Sequence, residues 1–382
     1  MEQLIFSSVE NLPNAHASAA FTEPKPVFKE EGEITPTILS DTHAYMPWGA
    51  TNLMPFDIID LIESDETLAT CQMFNAEVCY GSGLQYDTSQ AADAVAADVE
   101  DFLLDNDLAS YFLGVCQDFK HFAFAVSVII LNTEGTKIVR LIRKEACYCR
   151  FAPADTHGKI PRVYFANWRK FATIDDCEII EMLDAAAPFC DLRERLANGD
   201  RCRKFAIVSR VPTPDSTYYP IPYYAALFRG KWFNIKQLIG LAKETKLRNS
   251  GKVWSSTFYV NPNGDVQHDV VINKIDSDKE GGDWESDIQE AVNMICFTLR
   301  VHSNLVGSVH GKAQTNNSGS DKRELYTIAQ ALQKPYHDLL FTVHRIICRF
   351  NGWKGVKPLV PFIQLTTLDQ NSDADLVKVD DG

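Results

Sequence analysis

The sequence predicts an α+β protein, and three patterns carry that reading. Apolar residues recur at helical spacing from Pro55 to about residue 119. Between Phe124 and Arg210 the period changes to alternating or continuous apolar runs, the pattern of strands. Beyond Pro222 the pattern changes again, to long helical stretches that enclose one small β excursion.

Residues 1–44 read as an arm, because Pro13, Pro24, Pro26 and Pro36 interrupt them and Lys29-Glu30-Glu31-Gly32-Glu33 is too polar to bury. From Pro55, the series Phe56, Ile59, Leu61, Ile62, Leu68, Met73, Phe74 and Val78 has helical spacing. Asp65 is placed to cap a second helix that stops at Gly81 and Gly83. Residues 89–119 predict two further helices. Strands follow at Phe124–Leu131, Lys137–Arg143, Tyr148–Ala152, Arg162–Ala166 and Phe205–Arg210. Asn132-Thr133-Glu134-Gly135 supplies a hairpin turn between the first two, so the pairing is expected to be mostly antiparallel.

Pro222 is expected to open a helix that Leu227, Trp232, Ile235, Leu238, Ile239 and Leu241 carry about 25 residues, roughly 40 Å, to a stop at Asn249-Ser250-Gly251. Val253–Val260 and Val266–Ile275 then read as paired strands about Asn261-Pro262-Asn263-Gly264. Helices are predicted over Trp284–Val301 and Asp321–Asn351. Between them Ser303–Ser320 is a polar loop, rich in Gly, Ser and Asn. Backbone groups of such a loop would lack partners if buried, so it reads as presented to a ligand; a surface linker is the plain alternative.

Composition bounds the function. The 382 residues are 45% hydrophobic and 23% charged, enough for a large core. There is no run of roughly 18 uninterrupted apolar residues, so no membrane is expected, and the N-terminus lacks the features of a secretory signal. The ten cysteines are scattered and read as reduced thiols. Cys147 and Cys149 flank Tyr148 on an expected strand, but no second pair at zinc spacing exists, so no metal is expected. The formal charge of −14 is unevenly placed: residues 1–110 hold 20 acidic and 2 basic side chains, residues 201–252 hold 11 basic and 2 acidic ones. The acidic stretch is either a solvated surface or one that lets a polyanion pass without sticking. The basic stretch spreads its charges round a helix, which favours pairing with acidic neighbours in an assembly over a groove for DNA.

Apparent catalytic motifs fail on inspection, so no enzyme and no cofactor are expected. Gly307 to Lys312 imitates a phosphate-binding loop but is one residue short, and Ala313 stands where Ser or Thr would hold magnesium. Asp276 to Asp287 imitates a calcium loop, yet Asp283 occupies a usually apolar position. Tyr80-Gly81-Ser82-Gly83-Leu84 lacks a third glycine in register. His302, His310, His337 and His344 are not grouped with a nucleophile.

Four motifs in order carry a resemblance. Asn52 with Met54-Pro55, Tyr80 to Leu84, Tyr223–Gly251, and Leu299 to Gly307 followed by a polar loop and a helix through Lys334-Pro335 resemble portal proteins of tailed double-stranded DNA phages. The resemblance spans most of residues 46–350. It implies a portal-like fold: an arm at 1–45, an α/β wing at 46–221, a first stem helix at 222–250, a small β clip at 251–283, a second stem helix at 284–302, a tunnel loop at 303–320, and a crown helix with tail at 321–382. The clip is shorter than in many members of that family.

The resemblance further implies a non-enzymatic structural protein of the virion. It would form a ring, commonly twelve-fold, at one capsid vertex, and would be assembled in the host cytoplasm. Partners would be other copies of the chain, double-stranded DNA without sequence preference, the terminase large subunit, the major capsid protein and a head–tail adaptor. Asn304, Lys312, Gln314, Thr315, Asn316, Asn317 and Ser318 would face DNA in the channel. Trp254, Phe258, Tyr259, Val260, Asn263 and Asp265 would form the terminase-docking clip. Independent physics fits this reading: each phosphate neutralised by Lys or Arg adds affinity, so a conduit for sliding DNA needs few such contacts, and Lys312 is the loop's only formal charge. The competing reading is a non-ring adaptor that binds nucleic acid or protein through basic residues 201–252.

Overall fold

The computed structural model describes residues 3–6, 17–20, 35–170, 172–214, 216–229, 236, 258–260, 266–268, 282–306 and 319–365. The chain forms two compact units, one of residues 28–225, 296–308 and 314–382, the other of residues 1–27, 226–295 and 309–313.

The larger unit is built on a six-stranded sheet. Its strands are β6 (Phe124–Leu131), β7 (Ile138–Lys144), β8 (Cys149–Phe151), β9 (Arg162–Phe165), β10 (Glu178–Met182) and β11 (Lys204–Arg210), in the order β7-β6-β11-β10-β9-β8. Every pairing is antiparallel except β10 with β11. The two edges, β7 and β8, are separated by residues 145–148 alone. A flat six-stranded sheet is roughly 24 Å across, more than the roughly 17 Å that five extended residues reach. The sheet therefore curls until its margins approach at the Lys144 end. The expected turn is present: Gly135 takes φ +75°, and Asn132 accepts from the backbone of Thr136 and Lys137.

Helices α1 (Met54–Glu63), α2 (Glu66–Tyr80), α3 (Asp93–Asp105) and α4 (Leu108–Phe122) precede the sheet as the apolar spacing predicts. Asp65 caps α2 by accepting from the Leu68 amide at 2.9 Å. Helix α4 lies on the sheet, where Phe112, Val115 and Phe119 meet Ile129, Ile138 and Phe205. Leu340, Val343, Ile346 and Ile347 of α10 (Lys334–Phe350) join that same core, each such burial stabilising by about 1.5–3 kcal/mol. The stretch from Lys334 thus shares a core with residues 46–221.

Several expectations need correction. The single helix over Asp321–Asn351 is two, α9 (Gly319–Ala331) and α10, because Pro335 at the start of α10 cannot donate into a preceding turn. Residues 37–45 are not arm: β3 (Thr37–Ser40) pairs with β4 (His43–Tyr45), Tyr45 is buried, and the Met46 amide donates to Phe151 O at 2.8 Å. Cys147 does not share a strand with Cys149, because Ala146–Tyr148 is a 3₁₀ turn. Strand β10, helix α5 (Pro188–Ala197) and the pairing of β5 (Gln85–Asp87) with β14 (Lys357–Leu359) lie outside the sequence reading.

In the smaller unit, β1 (Gln3–Phe6) pairs with β2 (Ala17–Ala20) inside the expected arm. The expected clip hairpin is represented by β12 (Phe258–Val260) and β13 (Val266–His268), antiparallel with Tyr259 opposite Gln267. Helix α6 (Ala225–Arg229) starts three residues after Pro222, whose carbonyl accepts from the Ala225 amide. Of the rest of the predicted first stem helix Lys236 is described, helical and buried, while Ile235 and Leu238 lie outside the described residues. Helix α7 (Gly282–Thr298) covers most of the predicted second one.

Candidate functional site: the anchorage of the polar loop

Helix α7 ends by a Schellman closure. The Val301 amide donates to Cys296 O at 2.9 Å, and Arg300 takes φ +56°, a conformation that glycine adopts at less cost. Ser303–Val306 then forms a helical turn, α8. This corrects the expectation of a loop from Ser303 onward: Asn304 is on that turn, half-buried, with its backbone amide donating to His302 Nδ1 at 3.2 Å. Gly319 and Ser320 already belong to α9, so the loop is at most residues 307–318. Lys312, Gln314, Thr315, Asn316, Asn317 and Ser318 lie outside the described residues, as do Trp254, Asn263 and Asp265. Phe258, Tyr259 and Val260 are on β12.

A buried polar chain centred on α2 grips the segments before and after the loop. Asn75 Nδ2 donates to Leu299 O at 2.9 Å and to the Tyr223 hydroxyl at 3.0 Å. The Tyr223 hydroxyl donates to Gln72 Oε1 at 3.3 Å, and Gln72 Nε2 donates to Lys120 O at 2.9 Å. Lys120 Nζ donates to Gln333 Oε1 at 2.7 Å, at the α9–α10 junction, and lies 3.7 Å from the ring centre of Tyr336. Gln72, Lys120 and Gln333 are each buried. Burial pulls the Lys120 ammonium below its usual pKa, and burial raises that of the Tyr223 phenol. Thus one helix fixes where the chain leaves through Tyr223, returns at Leu299 and resumes at Gln333. Tyr223 and Leu299 belong to the resembling motifs, but nothing in the sequence singles out Gln72, Asn75, Lys120 or Gln333.

A second buried centre explains the Asn52 motif. Arg150 is fully buried and donates to Asn52 Oδ1, Asn52 O, Cys147 O and Cys149 O, with the faces of Trp48 and Trp168 at 5.6 and 5.2 Å. Asn52 adopts φ +61°, which Asn tolerates better than most residues.

His337, expected to lack a nucleophilic neighbour, instead sits beside Cys79, with Nε2 2.7 Å from the Cys79 carbonyl oxygen. A hydrogen bond from Cys116 holds the Cys79 thiol below its usual pKa, but Cys79 is wholly buried and no substrate reaches it. Among the described residues no group of three or more His, Cys, Asp or Glu could hold a metal, and no helix is long and apolar enough to cross a membrane. The phosphate-loop imitation and the first half of the calcium-loop imitation lie outside the described residues, and the second half begins helix α7. Of the basic 201–252 segment, Arg203, Lys204 and Arg210 are engaged internally, with Thr133 O, Glu178 and Thr217 O respectively.

A mixed helix-and-sheet architecture defines the fold class. Solved structures resemble it over about four fifths of the chain. The chain is similar to one from the virion of a native gene transfer agent particle, at TM-score 0.53 and 11% identity, covering 79% of this chain and 83% of that one. It is also similar to a chain of the neck of an empty particle of that agent computed with C6 symmetry, at TM-score 0.54 and 12% identity, covering 80% and 84%. A third likeness is to the neck of the native particle computed with C12 symmetry, at TM-score 0.53 and 11% identity, covering 81% and 85%. No protein-family model matches the chain, and no curated protein does.

Proposed function

We propose that the chain is a structural subunit of a portal-type ring at one vertex of a phage-like capsid, the passage for DNA during packaging and ejection. The observation that carries this reading is the shared fold over about four fifths of both chains with components of neck assemblies computed with six- and twelve-fold symmetry. The order of elements supports it: helix, β hairpin, helix, polar loop, helix. In this reading residues 307–318, with Lys312, Gln314, Thr315, Asn316, Asn317 and Ser318, face the duplex from the ring's inner wall. Asn304 serves the base of that loop rather than the duplex. The hairpin around Phe258, Tyr259 and Val260, with Trp254, Asn263 and Asp265, meets the terminase large subunit, while the capsid protein and a head–tail adaptor meet other faces. The chain needs no catalytic group of its own, because a separate motor drives the DNA.

Negative-stain electron microscopy and mass photometry of the purified full chain test this. The expected result is a closed ring of many copies; a monodisperse monomer at all concentrations and salts contradicts it.

A further inference from the structure

In a chain of net charge −14, one surface groove is lined by four cations and no carboxylate. It has a volume of ≈ 640 Å³ and lies where α10 ends and β14 begins. Arg345, Arg349, Lys354 and Lys357 stand exposed on its rim, and Cys348, Trp353 and Val356 form a buried apolar floor. Arg349 stacks 3.9 Å from the ring centre of Phe189, and Arg345 leans on Asp338 Oδ1 at 3.4 Å, which holds both guanidinium groups in place. Lys357 lies opposite Asp87 in the pairing of β14 with β5. The groove is partly open to solvent, so a side chain projecting from another macromolecule can enter it.

The complementary shape is on the same chain. Helix α3 exposes Glu100, Asp101 and Asp105 around Leu104, which is 80% exposed, and Asp93 about three turns back. An apolar side chain ringed by carboxylates matches an apolar floor ringed by cations. Yet α3 cannot serve its own groove. Its inner residue Phe102 faces Trp353, with ring centres 5.4 Å apart, and Trp353 Nε1 donates to Asp98 Oδ2 on the same helix at 2.6 Å. At 3.6 residues per turn, Glu100 and Leu104 lie roughly 160–200° around the helix from Phe102. The acidic face is therefore turned away from the groove it complements.

We infer that the acidic face of α3 on one copy docks in the cationic groove of the next copy, with Leu104 over Trp353 and Val356. Two different patches on one subunit make a head-to-tail contact, the kind that closes into a ring when its rotation permits. This inference rests on the ring reading and assigns it an interface.

Charge reversal tests it on the full chain, using exposed positions whose side chains fill no core. Lys354→Glu with Lys357→Glu should raise the concentration for half-assembly about tenfold or more, and so should Glu100→Lys with Asp101→Lys, while the dilute subunits keep their fold by circular dichroism, melting slightly lower where Lys357→Glu faces Asp87. Combining all four substitutions should restore assembly, and so should mixing the two single-patch variants, which then alternate around the ring. If the wild type never assembles, the ring reading falls and this inference with it. If the wild type forms rings and the groove variant forms them equally well, the inference alone is overturned. The same holds if the groove variant assembles normally but loses affinity for a short DNA duplex, because the groove then serves a polyanion. It holds too if the four-fold variant stays dissociated while folding normally.

Discussion

Arg150 shows how a single residue carries a local fold. A buried guanidinium without a carboxylate is tolerated only because neutral oxygens and two indole faces surround it, and Asn52 supplies two of those oxygens. Asn52→Ala should lower stability by about 2–3 kcal/mol, since it strands part of a buried charge and places Ala at a positive φ. Urea denaturation measures this, and a loss under about 0.5 kcal/mol would show that the arginine does not depend on Asn52. His344 gives a pH dependence. Burial holds its pKa down at about 3, with Nδ1 2.7 Å from the Tyr86 hydroxyl. Between pH 6.5 and about 3 the unfolded chain binds a proton here that the folded chain refuses. The site's contribution is thus complete above pH 6.5 and is lost as pH falls, by about 1.4 kcal/mol per unit. Asp118 acts with opposite sign, because burial raises its carboxyl to about 6 against Arg143. The informative measurement is the difference between wild type and His344→Gln, which should shrink steadily from pH 7 to pH 4; a constant difference would refute the assignment.

At the scale of elements, the chain on either side of the polar loop is held within the larger unit. Deleting residues 311–318 should leave folding and assembly intact, because Asn75, Lys120 and Gln333 hold the surrounding chain without them, but it should impair DNA packaging or retention. Ring yield and packaged DNA measured together decide this, and equal loss of both would show that the loop is structural. The legibility of the elements follows their physics. Helices α1 to α4 and the β6–β7 hairpin were readable because local spacing and the Asp65 and Asn132 caps define them. Strand β14 was not, since its apolar content is slight and its partner β5 lies some 270 residues away. The break at Leu332-Gln333 was visible in Pro335 and outweighed by the continuous apolar stripe on either side. The anchoring chain was hidden for a different reason: Gln72, Asn75 and Gln333 are ordinary polar residues whose burial depends on elements far apart in sequence.

For the whole molecule, the proposed ring carries its own expectation. If assembly is coupled to stability, the melting temperature should rise with protein concentration, by mass action alone. Differential scanning fluorimetry over an about hundredfold dilution series reads this, and an invariant midpoint would argue for an isolated subunit. The sequence expressed the α+β class, the hairpin of β12 with β13 and the long helix α7 that follows it. It did not express that the sheet curls or that α10 completes the core of the body, because both depend on how distant segments meet.

Helix α2 takes hold of the chain at Tyr223, Leu299 and, through Lys120, Gln333. A cuff of that kind makes the body indifferent to what is threaded through it. The segments between those fastenings can lengthen, shorten or change their surface without any retuning of the residues that grip them.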